Sequence, residues 1–186
     1  MKIFEPCRHA PCRAWRTHVL LGLCAVLLLS SATGCRYYSF TGASIPSNLQ
    51  TIAIPPVEDN SISPVPTLGR DLTDLLTGRF VEQTRLSLTT NEGQADALLS
   101  ATIVDYTNEP RGVTGDERAS VNRVSVRAQV RYVDQTEGDE EMLARTFTGF
   151  GDYDPVTDGL DGERTAAQLA LERLADDVFS SATSNW

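Results

Sequence analysis

Residues 119–134, ASVNRVSVRAQVRYVD, constrain the fold of this chain more than any other stretch. Val124, Val126, Ala128, Val130 and Tyr132 fall on one parity, and Arg123, Ser125, Arg127, Gln129 and Arg131 on the other. Side chains on a strand alternate between its two faces, so this stretch predicts a strand with one dry face and one wet face. An antiparallel sheet covered on one side only accommodates such a strand. After a turn at 135–139 that contains Gly138, residues 142–153 (MLARTFTGFGDY) alternate again. Leu143, Arg145, Phe147 and Gly149 stand against Ala144, Thr146, Thr148 and Phe150. The two stretches together predict a β-hairpin.

The other elements follow from the same patterns. Residues 97–107 predict a strand with Leu99, Ala101, Ile103 and Asp105 on one side, and residues 108–116, with Pro110, Gly112 and Gly115, predict a loop. Shorter strands are predicted at 85–89 and at 50–57, the latter ended by Pro55 and Pro56. Leu68, Leu72, Leu75, Leu76 and Phe80 recur at the helical period, so residues 67–84 predict an amphipathic helix with Thr67 as its cap. Ala167, Leu171, Leu174 and Val178 do the same for residues 163–181. Helices near either end of a run of strands point to an α+β fold in two layers. Two amphipathic helices would pack on a mostly antiparallel or mixed sheet of four to five strands.

The first 34 residues belong to a different kind of segment. Lys2, Arg8, Arg13 and Arg16 precede an apolar run at 19–29, which is followed by small residues up to Gly34. The run falls well short of the roughly 20 residues that span a hydrocarbon core. The layout is that of a secretory signal peptide. Ala32-Thr33-Gly34-Cys35 resembles a lipobox, the site at which signal peptidase II cuts between Gly34 and Cys35 before the cysteine is lipidated, although Ala32 stands where Leu is usual. An ordinary signal peptide, or an uncleaved anchor with a cysteine nearby, are the alternatives. The expected organisation is a lipoprotein signal peptide at 1–34, an extended lead at 35–48 and one α/β domain at 49–186.

Cleavage there would change the chemistry available. Of sixteen basic and 25 acidic residues, four basic ones and Glu5 lie within residues 1–34, which leaves twelve Arg against 24 carboxylates. Such acidity argues against nucleic acid as a partner. Cys7, Cys12, Cys24, His9 and His18 lie there too, and so does Lys2 as the chain's lone lysine. Without His, Lys or a free thiol the commonest general bases, nucleophiles and metal ligands are missing, so neither catalysis nor a cofactor is expected.

Several segments, taken in order, carry a family resemblance. They are Gly34-Cys35, YYSFTGASIP at 37–46, TIAI at 51–54, QTRLSL at 83–88, NRVSVRAQVRY at 122–132 and DDVFSSATSNW at 176–186. The chain resembles the lipopolysaccharide-assembly lipoprotein family LptE in its Bacteroidetes-type form. The resemblance implies helices on one side of a sheet and an outer-membrane lipoprotein held by acyl chains such as palmitate. It also implies a role as plug and assembly partner of the LptD-type β-barrel, facing the periplasm and the barrel lumen. Arg36, rather than Asp, after Cys35 fits the outer membrane by the same analogy. Alternatives from other classes are a lipid-anchored periplasmic binding module and a generic barrel-assembly lipoprotein.

Two further features invite a functional reading. Arg123, Arg127 and Arg131 share the wet face of one strand at intervals of about 13 Å. They suit contact with lipopolysaccharide phosphates or with acidic groups of a barrel interior, or else simple pairing with nearby carboxylates. The acidic stretch 151–163 invites comparison with a calcium loop. Val156 and Thr157 stand at its fifth and sixth positions, where a ligand and a glycine are required, so the match fails. An acidic solvated loop is the simpler expectation, with no metal.

Overall fold

The alternating stretch forms one strand of a mixed sheet, paired on both sides from Asn122 to Asp134. The computed structural model describes residues 45–113, 120–136 and 138–184, all within the unit Thr41–Trp186. In chain order the elements are β1 (Thr51–Ala53), β2 (Glu58–Asp59), helix α1 (Leu68–Glu82), β3 (Ser87–Leu88), a short 3-10 turn (Glu92–Gln94), β4 (Ala97–Val113), β5 (Ser120–Asp134), β6 (Glu140–Tyr153) and helix α2 (Gly159–Ser184). The sheet order is β3-β1-β4-β5-β6, with β2 also on β4. β4, β5 and β6 form an antiparallel meander, whereas β1 runs parallel to β3 and β4, and β2 parallel to β4. The expected two-layer α+β arrangement is therefore present, with six strands rather than four or five.

The sixth strand arises from the proline pair. β1 lies against Ala97 and Leu98, and β2 against Thr102 and Ile103 of the same strand. Between them stand Pro55 and Pro56, which lack the N–H a ladder needs, so the chain running alongside β4 is split into two short strands.

Two predictions about β4 fail for one reason, which is that irregular backbone interrupts the ladder without ending it. The strand continues past residue 107 and through Pro110, which pairs with Asn122 beside a register shift. Proline is tolerated at such an irregularity, so the predicted loop is strand as far as Val113. Residues 114–116 lie outside the described residues. A second shift falls between Ile103, opposite Ala128, and Asp105, opposite Arg127. The extra residue, Val104, reverses the parity that follows it. Asp105 thus lies on the face of Arg127 and not with Leu99 and Ile103, while Tyr106 turns toward the helices.

Both helices cover the same face. On α1, Leu68, Leu72, Leu76 and Phe80 are buried, as the period predicts. Thr67 stands at the N-cap, but its hydroxyl donates to Asp71 (2.8 Å) and caps no backbone N–H. α2 starts four residues earlier than predicted. Asp158 N donates to Asp154 O and Gly162 N to Asp158 O, so consecutive turns lead into the helix. Its buried stripe includes Ala166, Ala167, Ala170, Leu171, Leu174, Ala175 and Val178. Phe80 joins the layers, with its ring 5.8 Å from Tyr132 on β5 and 5.3 Å, edge-on, from Phe179 on α2. Burial, and secondarily the charge of Asp134, pushes the Tyr132 phenol above its usual pKa.

The contact of α2 with β6 depends on two glycines. Gly149 and Gly151 present no side chain to the helix, and a Cβ on either would collide with the carbonyl of Ala170 or Ala166 respectively. Helix backbone thus lies almost directly on strand backbone. Gly149→Val is expected to push α2 off the sheet and to destabilise the body by about 2–3 kcal/mol, the usual cost of overpacking. The urea midpoint measures this, and an unchanged midpoint would contradict the close approach.

At the opposite end of the sheet, Asp96 fastens the start of β1. Its Oδ2 accepts from Gln50 N (3.0 Å), Thr51 N (2.9 Å) and Thr51 Oγ1 (2.9 Å). These donors, Gln50 N–H foremost, hold its pKa below the ordinary carboxyl value. A depressed folded-state pKa stabilises fully above the unfolded-state value of about 4, and that stability is lost as pH falls through the lower folded value. Asp96→Ala should therefore lower stability by about 1 kcal/mol at pH 7 and flatten the acid limb of the stability curve. Urea titrations at pH 7 and pH 3 test this, with a smaller deficit expected at pH 3.

Candidate functional site

The face of the sheet turned away from the helices carries the three arginines singled out by sequence. Val124, Val126, Ala128, Val130 and Tyr132 are buried beneath the helices, which leaves Arg123, Arg127 and Arg131 on the open side. Each has a carboxylate partner from a neighbouring strand. Arg123 grips Asp152 of β6 through two parallel bonds, Nε to Oδ1 (2.6 Å) and Nη2 to Oδ2 (2.7 Å). Arg131 Nε donates to Glu141 Oε2 of β6 (2.7 Å). Arg127 Nη2 stands 3.4 Å from Asp105 Oδ2 of β4. The first pair is geometrically the strongest, because a guanidinium fork matches both carboxylate oxygens. Arg123 lowers the Asp152 pKa from the ordinary carboxyl value, and Arg123 is raised in turn by Asp152.

These pairs determine what the face can do. The arginine row is neutralised along its length, so an arriving phosphate would have to displace a carboxylate. Arg127, with the longest contact and a half-exposed side chain, is the easiest to recruit. Beside Arg131 a shallow hollow of about 380 Å³ is floored by Ser100, Thr102, Gln129, Ala144 and Thr146. Its lining offers hydroxyl, amide and guanidinium groups set among aliphatic carbon, so a polar group arriving there would find hydrogen-bond partners. At the β6 margin Phe150 is 38% exposed, with the guanidiniums of Arg123 and Arg173 over its ring at 4.1 and 4.7 Å. Arg173 also donates to the Phe150 carbonyl (2.9 Å).

None of these carboxylate partners could be assigned from spacing. Asp105 reaches Arg127 only because Val104 bulges, and Glu141 and Asp152 become neighbours only once the β5–β6 register is fixed. That register contains its own irregularity at Tyr132/Val133.

The acidic stretch 151–163 uses its carboxylates internally. Asp154 Oδ1 accepts from the N–H groups of Val156 (2.8 Å) and Thr157 (3.2 Å), and Asp158 Oδ2 accepts from Asp154 N (3.0 Å). Asp161 pairs with Arg164, and Glu163 accepts from Tyr106 Oη at 2.9 Å. Among the described residues no group of three potential metal ligands converges. Beneath α2, Asn108 donates to Tyr153 Oη (2.8 Å) and Asn122 to Asn108 Oδ1 (3.2 Å), so the core ends in a polar network on this side.

Gly34 and Cys35, the expected cleavage and lipidation positions, and Trp186 lie outside the described residues. Phe179 is half-buried and packs against the core, edge-on to Phe80. No helix of the described residues is long and apolar enough to cross a membrane.

Comparison with known proteins places this architecture. The hypothetical protein CT253 of Chlamydia trachomatis has a similar fold, with a TM-score of 0.51 and 13% identity over 74% of this chain and 99% of that one. A Helicobacter pylori protein described as a homologue of a neuraminyllactose-binding hemagglutinin matches with a TM-score of 0.52 and 10% identity, over 77% and 91% of the two chains. Protein XCC0632 of Xanthomonas campestris matches with 0.51 and 12%, over 73% and 85%. At these identities the likeness is one of fold alone. No curated protein matches the chain. The family model for LptE, lipopolysaccharide-assembly, matches residues 49–182, a span that contains all six strands, α1 and all but the last two residues of α2. The chain belongs to the LptE family of lipopolysaccharide-assembly proteins.

Proposed function

We propose that this chain is an outer-membrane lipoprotein that plugs the LptD-type β-barrel and helps it assemble, and so serves lipopolysaccharide transport to the outer leaflet. In this reading residues 1–34 are removed, Cys35 carries the lipid, residues 35–48 form the lead and the domain at 49–186 faces the periplasm and the barrel lumen. The chain would be of the Bacteroidetes-type form. The observation that carries the proposal is the family match over residues 49–182. The open sheet face supports it. A polar, locally neutralised surface suits the wall of an aqueous barrel, which is itself polar inside. Arg127 and Arg131 are the arginines best placed to exchange their carboxylates for groups on a partner or on lipopolysaccharide. Arg123, held at two points, acts mainly to join β5 to β6.

The anchor accounts for localisation. Each buried CH₂ contributes about 0.8 kcal/mol, so a single chain holds marginally and several hold durably. Cys35→Ala should move the protein from the membrane to the soluble fraction, and continued sedimentation with membranes would remove the lipoprotein assignment. Affinity isolation of the full chain from native membranes should recover one large β-barrel protein in stoichiometric amount. Recovery of the chain alone, as a monomer that binds a small solute, would replace this reading with that of a periplasmic binding module.

A further inference from the structure

β6 ends the sheet on one side, and among the described residues it pairs with β5 alone. The Phe150 carbonyl accepts from Arg173 Nη1 (2.9 Å), so the Phe150 backbone is turned outward, away from β5. Backbone groups alternate along a strand, and the register with β5 is unbroken from Leu143 to Tyr153. Ala144, Thr146 and Thr148 are therefore turned outward as well. All three residues are exposed, and no described residue bonds their N–H or C=O groups. Such a row is a template for one more strand, here of about five residues.

The open stretch is flanked by cations. Arg145 has the parity of Leu143 and Phe147, which are buried on the helix side, yet Arg145 itself is exposed. Its guanidinium lies over the Phe147 ring at 4.4 Å, and no carboxylate of the described residues is within ion-pair distance of it. Arg173, beyond the far end of the stretch, is likewise in no ion pair there. The three arginines of β5 all have carboxylates, and Glu141 is bound by Arg131 on the opposite face. An incoming strand with an acidic residue beside Arg145 would supply the missing partner.

Three occupants compete for such an edge. A second copy would pair β6 with β6 in antiparallel sense, which keeps both helix layers on one side of the joined sheet. Because Gly149 and Gly151 bring α2 directly onto β6, the two α2 helices would then stand over strands about 4.8 Å apart, where packed helices need about 8–10 Å. The chain's own residues 36–44 carry Arg36 and no carboxylate, so they offer Arg145 nothing. A partner segment that is extended, bears an acidic residue and has no helix above it meets both the steric and the charge condition.

We propose that the outer edge of β6, over residues 144–148, takes up an extended segment of the barrel partner as an added strand, with an Asp or Glu of that segment beside Arg145. The proposal rests on the barrel-partner reading above and adds the edge through which the contact is made. Main-chain hydrogen bonds hold the segment, and Arg145 fixes its register.

The test uses tagged full-length protein isolated from native membranes, with the co-isolated barrel quantified by mass spectrometry. Thr146→Pro removes an outward N–H and leaves the ladder with β5 intact, a place where an edge strand tolerates proline. It should recover about tenfold less barrel, the equivalent of one or two main-chain hydrogen bonds, at a near wild-type urea midpoint. Arg145→Glu should also reduce recovery, and Arg145→Lys should keep most of it; should the proline variant prove unstable, this exposed pair carries the test. A photo-crosslinking residue in place of Thr148 should mark one barrel segment, and changing the acidic residue of that segment to Lys should restore recovery by the Arg145→Glu protein. Wild-type recovery with both Thr146→Pro and Arg145→Glu overturns the edge contact while leaving the barrel reading intact. Failure of the unsubstituted protein to recover a barrel overturns the barrel reading itself. Dimers in sedimentation that Thr146→Pro abolishes would assign the edge to a second copy, and crosslinks to residues 36–44 would assign it to the chain's own lead; either overturns the proposal.

Discussion

The body depends on one close contact, between the small-residue stripe of α2 and the glycines of β6. Ala166 and Ala170 rest on Gly149 and Gly151 with backbone nearly touching backbone. Where the layers lie this close, the stripe that follows on α2, Leu171, Leu174 and Val178, is carried down onto the β5 side chains. Phe80 then fills the space between the two helices and the sheet, against Tyr132 and Phe179. The dry face of β5 explains why a core exists, and the glycine pair explains why the helix sits where it does. Interiors packed this tightly tolerate little added volume at such a point.

The two faces of the sheet solve different problems. The helix side hides apolar surface, the main source of stability for a domain of this size. The other side holds its charges in cross-strand pairs, Arg123 with Asp152, Arg127 with Asp105 and Arg131 with Glu141. Exposed pairs of this kind contribute little to stability. Their effect is to keep the face hydrated and close to neutral in a chain whose net charge is −9. Such a surface can lie against a polar wall without a large desolvation cost, which is how family membership and local electrostatics meet.

Long-range order was legible in the sequence wherever a periodic pattern ran uninterrupted. The parity of β5 and β6, the apolar stripes of both helices and the two-layer arrangement all follow from such patterns. The failures cluster where a single residue breaks periodicity. Val104 reverses the parity of β4, so Asp105 was placed on the wrong side. Pro110 suggested a loop where the partner strand sustains a ladder. Pro55 and Pro56 predict the end of a strand, yet strand resumes at Glu58. Bulges and split strands depend on what the neighbouring strand supplies, and a linear pattern does not contain the neighbour. The same limit hid the carboxylates of the arginine row.

The fastening of residues 45–51 to the body has a mechanical consequence. Tension applied from the amino-terminal side reaches Arg85 on the carbonyls of Ile45 and Pro46, then Asn48 on Asp134, then Asp96 on Gln50 and Thr51. These polar fasteners share the strain with Ile45 and Leu49, whose side chains are rooted in the core. A pull from this side is thus divided between replaceable polar clips and two apolar pegs at the margin, and the middle of the sheet feels it last.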